Sequence, residues 1–276
     1  MVKIKGKRKI KNKEKNILIK YDKNNDGIIS LNEYLAKEIS LGPKAKKTEI
    51  NYNYQDYDNV FNYFMIVFTK RKRLKIMCIP NFILYYGEFE TKAALAYNME
   101  TDVLYHAYED RSKNEIIRCS NKLDTRFIYF TFIVISSERE KITHANIVII
   151  DLVKKTYERF EPRGRETNEE ETKLNKLFKS RVKKVLGLDD FKYISPTNIS
   201  PMIGIQSIAD SYCGMCITIS MMYLHMRILN PDIPQRKLVK FIINRNKNDL
   251  KKMILKYARH VEETLKSNKM AVLQLT

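Results

Sequence analysis

The chain predicts an α+β fold, a central mixed β-sheet with one buried helix, and three observations carry that expectation. Runs rich in β-branched and aromatic residues crowd its middle: Phe61–Phe68, Lys75–Ile79, Phe82–Tyr86, Phe127–Ile135, Asn146–Ile150 and Thr156–Phe160. One long apolar segment, Met215–Leu229, is too long for a strand and reads as a helix with no solvent face, closed by Pro231 and Pro234. The last 40 residues alternate basic and apolar positions in the manner of two amphipathic helices.

Each strand signal has a punctuation mark. The basic turn Lys70–Arg73 and the pair Pro80-Asn81 separate the first three runs, and Leu95–Tyr97 with Val103–Tyr108 suggests a further hairpin. Asn146–Ile150 leads into Thr156–Phe160 across a turn at Leu152–Lys155. Residues 166–186 have helical spacing in Leu174, Leu177, Val182 and Val185, with Gly187 as the stop. The organisation expected is a basic arm over residues 1–16, a helix–loop–helix unit over 17–45, a polar linker over 46–59 and a catalytic domain over 60–276 that ends in the basic helices.

Composition excludes several classes. The 276 residues are 44% hydrophobic, enough for a real core, so wholesale disorder is ruled out. With 8 Gly and 7 Pro, collagen-like and low-complexity chains are excluded too. Four Cys do not make a disulfide scaffold, and a reducing compartment is the expectation. No apolar stretch follows the basic N-terminus, so a secretory signal is not expected there. The longest apolar run, Phe127–Ile135, falls well short of the ~20 residues a membrane span needs. An intracellular protein with no membrane span is expected.

The formal charge of +19 is unevenly placed. Residues 1–16 carry +7 and residues 236–276 carry +8, leaving about +4 on the long middle. The basic ends are therefore the candidate contacts for DNA or another polyanion, and the body between them is nearly neutral.

Residues 22–33, DKNNDGIISLNE, fill every fixed position of an EF-hand calcium loop. Asp22, Asn24 and Asp26 stand at the first, third and fifth positions, Ser30 at the ninth and Glu33 at the twelfth. Ile28 offers its carbonyl, and Gly27 allows the sharp turn. Calcium needs this spacing because it gathers six to eight hard oxygens about one point. Ile29 sits where paired hands make an apolar β-contact, yet only one hand is visible. Flanking helices are expected at Asn16–Tyr21 and Leu31–Ile39. The metal ligands expected for Ca2+ are thus Asp22, Asn24, Asp26, Ile28, Ser30 and Glu33.

The catalytic candidates begin at His144, which opens the strand of THANIVIID. Seventeen residues on, past the second strand, comes Glu161 in YERFEPRG. Two antiparallel strands joined by a short turn bring the start of the first beside the end of the second. A carboxylate can then hold one ring nitrogen of His144 and leave the other free to handle a proton. Downstream, GIQSIADSYCGMCITISMMYLHMRILNP places Cys213 and Cys216 at or near the start of the apolar helix, where a helix N-terminus favours thiolate. Gln206 could join the backbone N–H of the nucleophile in holding an oxyanion. The pair Cys213-x-x-Cys216 also reads as a redox motif or half a zinc site. Zinc needs two more ligands, however, and Cys78 and Cys119 show no paired spacing.

The order His, acid, Gln, Cys, with strand–turn–strand between the first two and a helix after the last, resembles the adenain-like and SUMO-deconjugating cysteine proteases. The wording is similar to that of proteases of large DNA viruses, in which Ser220, Tyr223, Arg227 and Asn230 match the offsets along the catalytic helix. The resemblance covers about residues 60–235. It implies a papain-like cysteine protease of the adenain/SUMO-protease type with a Cys–His–Glu triad. It also implies a polypeptide substrate, either a viral structural precursor or a ubiquitin-like conjugate, and a place in the virion or the cytoplasm of an infected cell. Ala145 and Ile219 stand where this family often has Trp. Cys213 has the Cys-Gly pair and the Gln spacing of the adenain pattern. Cys216 has the Gly-x-Cys approach of the viral pattern and is favoured as nucleophile. The rival expectation is a calcium- and nucleic-acid-binding virion protein on an inactivated protease fold.

Overall fold

The computed structural model describes residues 21–22, 24–34, 63–64, 77–86, 89–107, 110–137, 142–165, 169–209 and 215–267. The basic arm 1–16, most of the helix expected before the calcium loop, the linker 46–59 and the last nine residues lie outside these.

Among the described residues the strands are β1 (Met77–Cys78), β2 (Ile83–Tyr86), β3 (Phe89–Lys92), β4 (Ala94–Asn98), β5 (Val103–Tyr105), β6 (Phe127–Ser137), β7 (Ile142–Asp151), β8 (Thr156–Phe160) and β9 (Lys192–Ile194). The helices are α1 (Arg111–Asn121), α2 (Glu169–Leu177), α3 (Lys183–Val185), α4 (Pro196–Ile199), α5 (Ile205–Ala209), α6 (Met215–Leu229), α7 (Gln235–Ile243) and α8 (Lys247–Lys266). A π turn, Phe178–Val182, joins α2 to α3.

The main sheet runs β5-β4-β6-β7-β8-β9, with β1 also paired to β6. It is mixed: β6 is parallel to β1 and β4 but antiparallel to β7, and β9 runs parallel to β8. β2 and β3 form a separate hairpin. Because β6 has neighbours on both sides and is covered on both faces, its sequence is almost continuously apolar instead of alternating. The expected α+β fold, with a mixed sheet and a buried helix, is what the chain adopts.

Several details depart from the sequence reading. Phe61–Phe68 was expected as a strand, but its two described residues, Tyr63 and Phe64, are helical and fully buried. Their aromatic rings fill a cluster around His225 and Tyr257, so ring packing outweighs strand propensity there. Cys78 and Cys119, which show no paired spacing in a sequence expected to meet a reducing compartment, form a disulfide across 41 residues, with Cα atoms 5.5 Å apart. The parallel pairing of β1 with β6 sets Cys78 against the end of α1, a meeting that no local spacing announces. α1 itself was not foreseen, because its sequence RSKNEIIRCSN is mostly polar.

α6 is the keystone. All fifteen of its residues are buried, so it has no solvent face. It packs on the β7–β8 side of the sheet, where Phe160 stacks on Tyr223 at 3.9 Å. Burying each large apolar side chain in this way contributes roughly 1.5–3 kcal/mol. Tyr223 and Arg227 both donate to Oε1 of the buried Glu158, at 2.8 and 3.0 Å. Two of the four helix positions that carried the family resemblance therefore pin α6 to β8. No helix among the described residues is long and apolar enough to cross a membrane.

Tyr21, Ile28, Ile29, Leu31 and Tyr34 belong to the same hydrophobic core as α6. Tyr34 sets its ring edge-on to His225, 4.5 Å away, and Tyr21 stacks on Tyr34. His225, without a motif in the sequence, is thus a packing residue whose Nδ1 meets the Tyr257 hydroxyl at 3.2 Å.

Candidate active site

The site starts with a hairpin. Asp151 closes the turn between β7 and β8 by accepting from the N–H groups of Val153 and Lys154 at 3.0 and 3.1 Å. That turn sets the register Asp151↔Thr156 through Ile147↔Phe160. Continued one step, it puts Asn146 opposite Glu161, with His144 two residues away on the same face.

The side chains meet accordingly. His144 Nε2 lies 2.6 Å from Glu161 Oε1, with both residues buried. Glu161 Oε1 also accepts from the N–H of Arg163 at 2.8 Å, and Oε2 accepts from Asn146 Nδ2 at 3.0 Å. With Nε2 engaged by the carboxylate, Nδ1 of His144 is the nitrogen left for sulfur. Cys216, the second residue of α6, is hydrogen-bonded to His144.

The electrostatics follow from these neighbours. Burial works against charge on His144, but the Glu161 carboxylate and the Cys216 sulfur outweigh it and raise the imidazole to about 9. Burial pushes the Cys216 thiol up, yet the hydrogen bond and charge of His144 pull it below its ordinary value. For Glu161, burial raises the carboxyl, and His144 and Arg159 more than reverse it. The combination favours a thiolate–imidazolium pair.

Gln206 reaches this neighbourhood through the backbone. The segments 161–165 and 201–207 are zipped together: Arg165 N–H donates to Pro201 O, Gly204 N–H to Arg163 O and Gln206 N–H to Pro162 O, at 2.8–2.9 Å. Such closeness requires glycine on both sides. A Cβ on Gly204 would fall 2.2 Å from Gly164 N, and Gly164 has φ +113°. Gln206 Oε1 is buried with no hydrogen-bond partner among the described residues. On the same turn Met202 and Ile203 stand exposed, at 62% and 61%.

Of the expected catalytic residues, the structure brings His144, Glu161 and Cys216 into contact and fastens Gln206 to the segment that follows Glu161. Cys213 lies outside the described residues. Cys216 is the free cysteine among the described residues. Sequence reasoning gave no role to Asn146, which touches Glu161, or to Arg159 and Glu171, which stand behind it. The signal for Asn146 was its place two residues from His144 on one strand face.

The calcium-loop residues are arranged otherwise. Asp22 accepts from the N–H groups of Asp26 and Gly27, and Glu33 accepts from those of Asn24 and Ser30. Among the described residues no three of His, Cys, Asp and Glu converge as a metal site. The donor set is still all oxygen, which suits a hard cation. The Ile29 position is filled in an unexpected way: its N–H donates to Asn230 Oδ1 at 2.7 Å, and its carbonyl accepts from Asn230 Nδ2 at 3.0 Å. One side-chain amide from the end of α6 gives Ile29 the two-bond pairing that a second hand would give.

No family model matches the chain, and no curated protein matches it. Among solved structures, it is similar to the Chlamydia trachomatis effector protein Cdu1 bound to ubiquitin, with 12% identity, TM-score 0.44, and 80% of this chain and 94% of that chain covered. It is similar also to the SUMO protease Ulp1 with its catalytic cysteine oxidized to a sulfenic acid (13%, TM-score 0.39, 92% and 95% covered). A third likeness is to the Legionella pneumophila effector protein RavZ (10%, TM-score 0.36, 76% and 67% covered). With identities and scores this low, the functional reading rests on the side chains of the site itself.

Proposed function

We propose that the protein is a cysteine endopeptidase that processes viral structural precursors through a Cys216–His144–Glu161 triad. The observation that carries this reading is the buried His144 ring, held by Glu161 at 2.6 Å on one nitrogen and hydrogen-bonded to Cys216. The Cys216 thiolate attacks the scissile carbonyl carbon, forming a C–S bond and an oxyanion. Gln206 and the Cys216 N–H serve the oxyanion as donors. As the C–N bond breaks, His144 gives its proton to the leaving amine, and the acyl group stays on sulfur. Water then attacks the thioester, His144 takes a proton from it, and the carboxylic product leaves Cys216 as thiolate. Glu161 keeps the ring oriented and stabilises its charge throughout.

The viral precursor as substrate, and the virion or infected-cell cytoplasm as location, follow from the sequence resemblance. Removal of a ubiquitin-like modifier uses the same chemistry on an isopeptide bond and is the competing outcome. Profiling the purified protein on a proteome-derived peptide library tests the proposal, with ubiquitin and SUMO vinyl-ester probes alongside. Library cleavage that disappears in Cys216→Ala supports the endopeptidase. Probe adducts without library cleavage transfer the activity to isopeptide bonds. Neither reaction in the wild type would leave a non-catalytic protein.

Two further properties belong to this reading. We infer that loop 22–33 binds Ca2+ through Asp22, Asn24, Asp26, Ser30, Glu33 and the carbonyl of Ile28, which requires Glu33 to exchange its contacts with Asn24 and Ser30 for the ion. Calorimetry showing no Ca2+ heat, or heat unchanged by Glu33→Gln, refutes it. The exposed basic residues Lys252, Lys256 and Arg259 follow one another along the solvent side of α8 and suit a polyanion such as DNA. Affinity for an oligonucleotide should fall as salt rises, and each removed charge should flatten the log–log slope by about one unit.

A further inference from the structure

Glu161 is gripped from behind by a chain of buried groups that the chemistry above does not use. Its Oε2 accepts from Asn146 Nδ2 at 3.0 Å, and Asn146 Oδ1 in turn accepts from Arg159 Nη1 at 2.7 Å. That second contact fixes which way the amide faces. With its oxygen turned to a guanidinium, Asn146 can only present N–H to the carboxylate. Asn146 and Arg159 are fully buried.

The remaining contacts keep Arg159 at a distance. Its Nη2 donates to both oxygens of Glu171, each at 2.6 Å, while its own approach to Glu161 is 3.9 Å. Tyr193 lies 3.3 Å from Arg159 Nε, Asn175 donates to Glu171 at 2.9 Å, and Phe178 lies under the guanidinium. These partners come from β9, α2 and the π turn. By strand alternation Arg159 and Glu161 share one face of β8, while Glu158 and Phe160, which meet α6, share the other. The catalytic carboxylate is therefore braced from the side of the sheet opposite the helix that carries Cys216.

We propose that Asn146 and Arg159, backed by Glu171, are positioning residues that aim Glu161 at His144. Glu171 takes the charged fork of Arg159, which would otherwise pair with Glu161 and compete with the imidazole. What reaches Glu161 is the neutral amide of Asn146, a donor that fixes one carboxylate oxygen and leaves the other to His144 Nε2. Removing Asn146 frees the carboxylate to rotate. Removing the charge of Glu171 releases Arg159 toward Glu161. Either change loosens the hold on the His144 proton.

This inference rests on the triad reading, and its test keeps the two apart. The rate of Cys216 alkylation by iodoacetamide is measured from pH 4 to 10 in the wild type, Asn146→Ala and Glu171→Gln. Peptide cleavage and thermal unfolding are followed on the same samples. The expected result is a fall in kcat/KM of about 10–100-fold, carried by kcat with KM little changed. The alkaline limb of the cleavage profile should move to lower pH, and the thiolate limb of alkylation to higher pH. Folded variants whose limbs and kcat/KM match the wild type would overturn the inference. Should Asn146→Ala fail to fold, Glu171→Gln, which keeps the shape of the side chain, is read by the same two limbs. A wild type whose Cys216 is not alkylated at all would instead remove the triad reading beneath it.

Discussion

The two ends of α6 are held by different physics. At its start, Cys216 meets a line of charges: imidazole, Glu161 and, behind it, Arg159 with Glu171. At its end, Asn230 meets the main chain of Ile29 with a neutral amide, in a setting of aromatic rings around His225. One end gathers titratable side chains and the other fastens a loop. The contrast shows how one fully buried helix can set a thiol beside an imidazole at its first turn while its far end serves packing. It also shows how Tyr21, Ile28, Ile29, Leu31 and Tyr34 share the hydrophobic core of the main sheet.

The comparison predicts that damage at the first turn removes activity with little loss of stability. Cys216→Ala should lower kcat/KM by on the order of 10^5-fold with an almost unchanged melting temperature. A large loss of stability together with full residual activity would erase the distinction between the ends.

Next in size is Glu161→Gln, expected to cost on the order of 10^3–10^4 in rate. The sign of its pH effect follows from His144. Because its folded value is raised to about 9, the proton stabilises the native state; that contribution is whole below the ordinary 6.5 and is lost as pH rises toward 9. Glu161→Gln removes the charge that holds the proton, so the alkaline limb of kcat/KM should drop by about 1–3 pH units. An unmoved limb would mean that Glu161 does not govern His144.

Toward the other end the readout changes from rate to stability. Arg227→Met leaves Glu158 buried without its ion partner and should destabilise by about 3–5 kcal/mol in urea unfolding, while the alkylation rate of Cys216 in the folded fraction stays near wild type. Asn230→Ala strands the N–H and carbonyl of Ile29 and should cost less, about 1–3 kcal/mol. If the loop binds calcium, that variant should also lose part of the calcium-dependent rise in melting temperature.

Legibility in the sequence cuts across both ends of the helix. The pairing of His144 with Glu161 was readable because a hairpin converts sequence separation into register, and the β7–β8 ladder is short, regular and closed by a tight Asx turn. The calcium-loop pattern stands out in the sequence because the motif is contiguous, and the binding of Ca2+ by it is the proposal made above. The brace behind Glu161 was not: Arg159 and Glu171 are charged, and charged residues read as surface until the fold encloses them. The Asn230–Ile29 contact spans 201 residues, and the Cys78–Cys119 bridge spans 41, so no local pattern reports either. α1 and β9 escaped because one is polar and the other is three residues long. The α+β class was legible because it rests on the continuous apolar run of β6 and the length of α6.

Cys216, activated by His144, is the proposed nucleophile. Labelling the native protein with an iodoacetamide probe, followed by peptide mapping, tests it most directly. Rapid labelling of Cys216 at neutral pH is expected, undiminished in Cys213→Ala, strongly slowed in His144→Ala and absent in Cys216→Ala. Labelling that persists in Cys216→Ala and disappears in Cys213→Ala would contradict it.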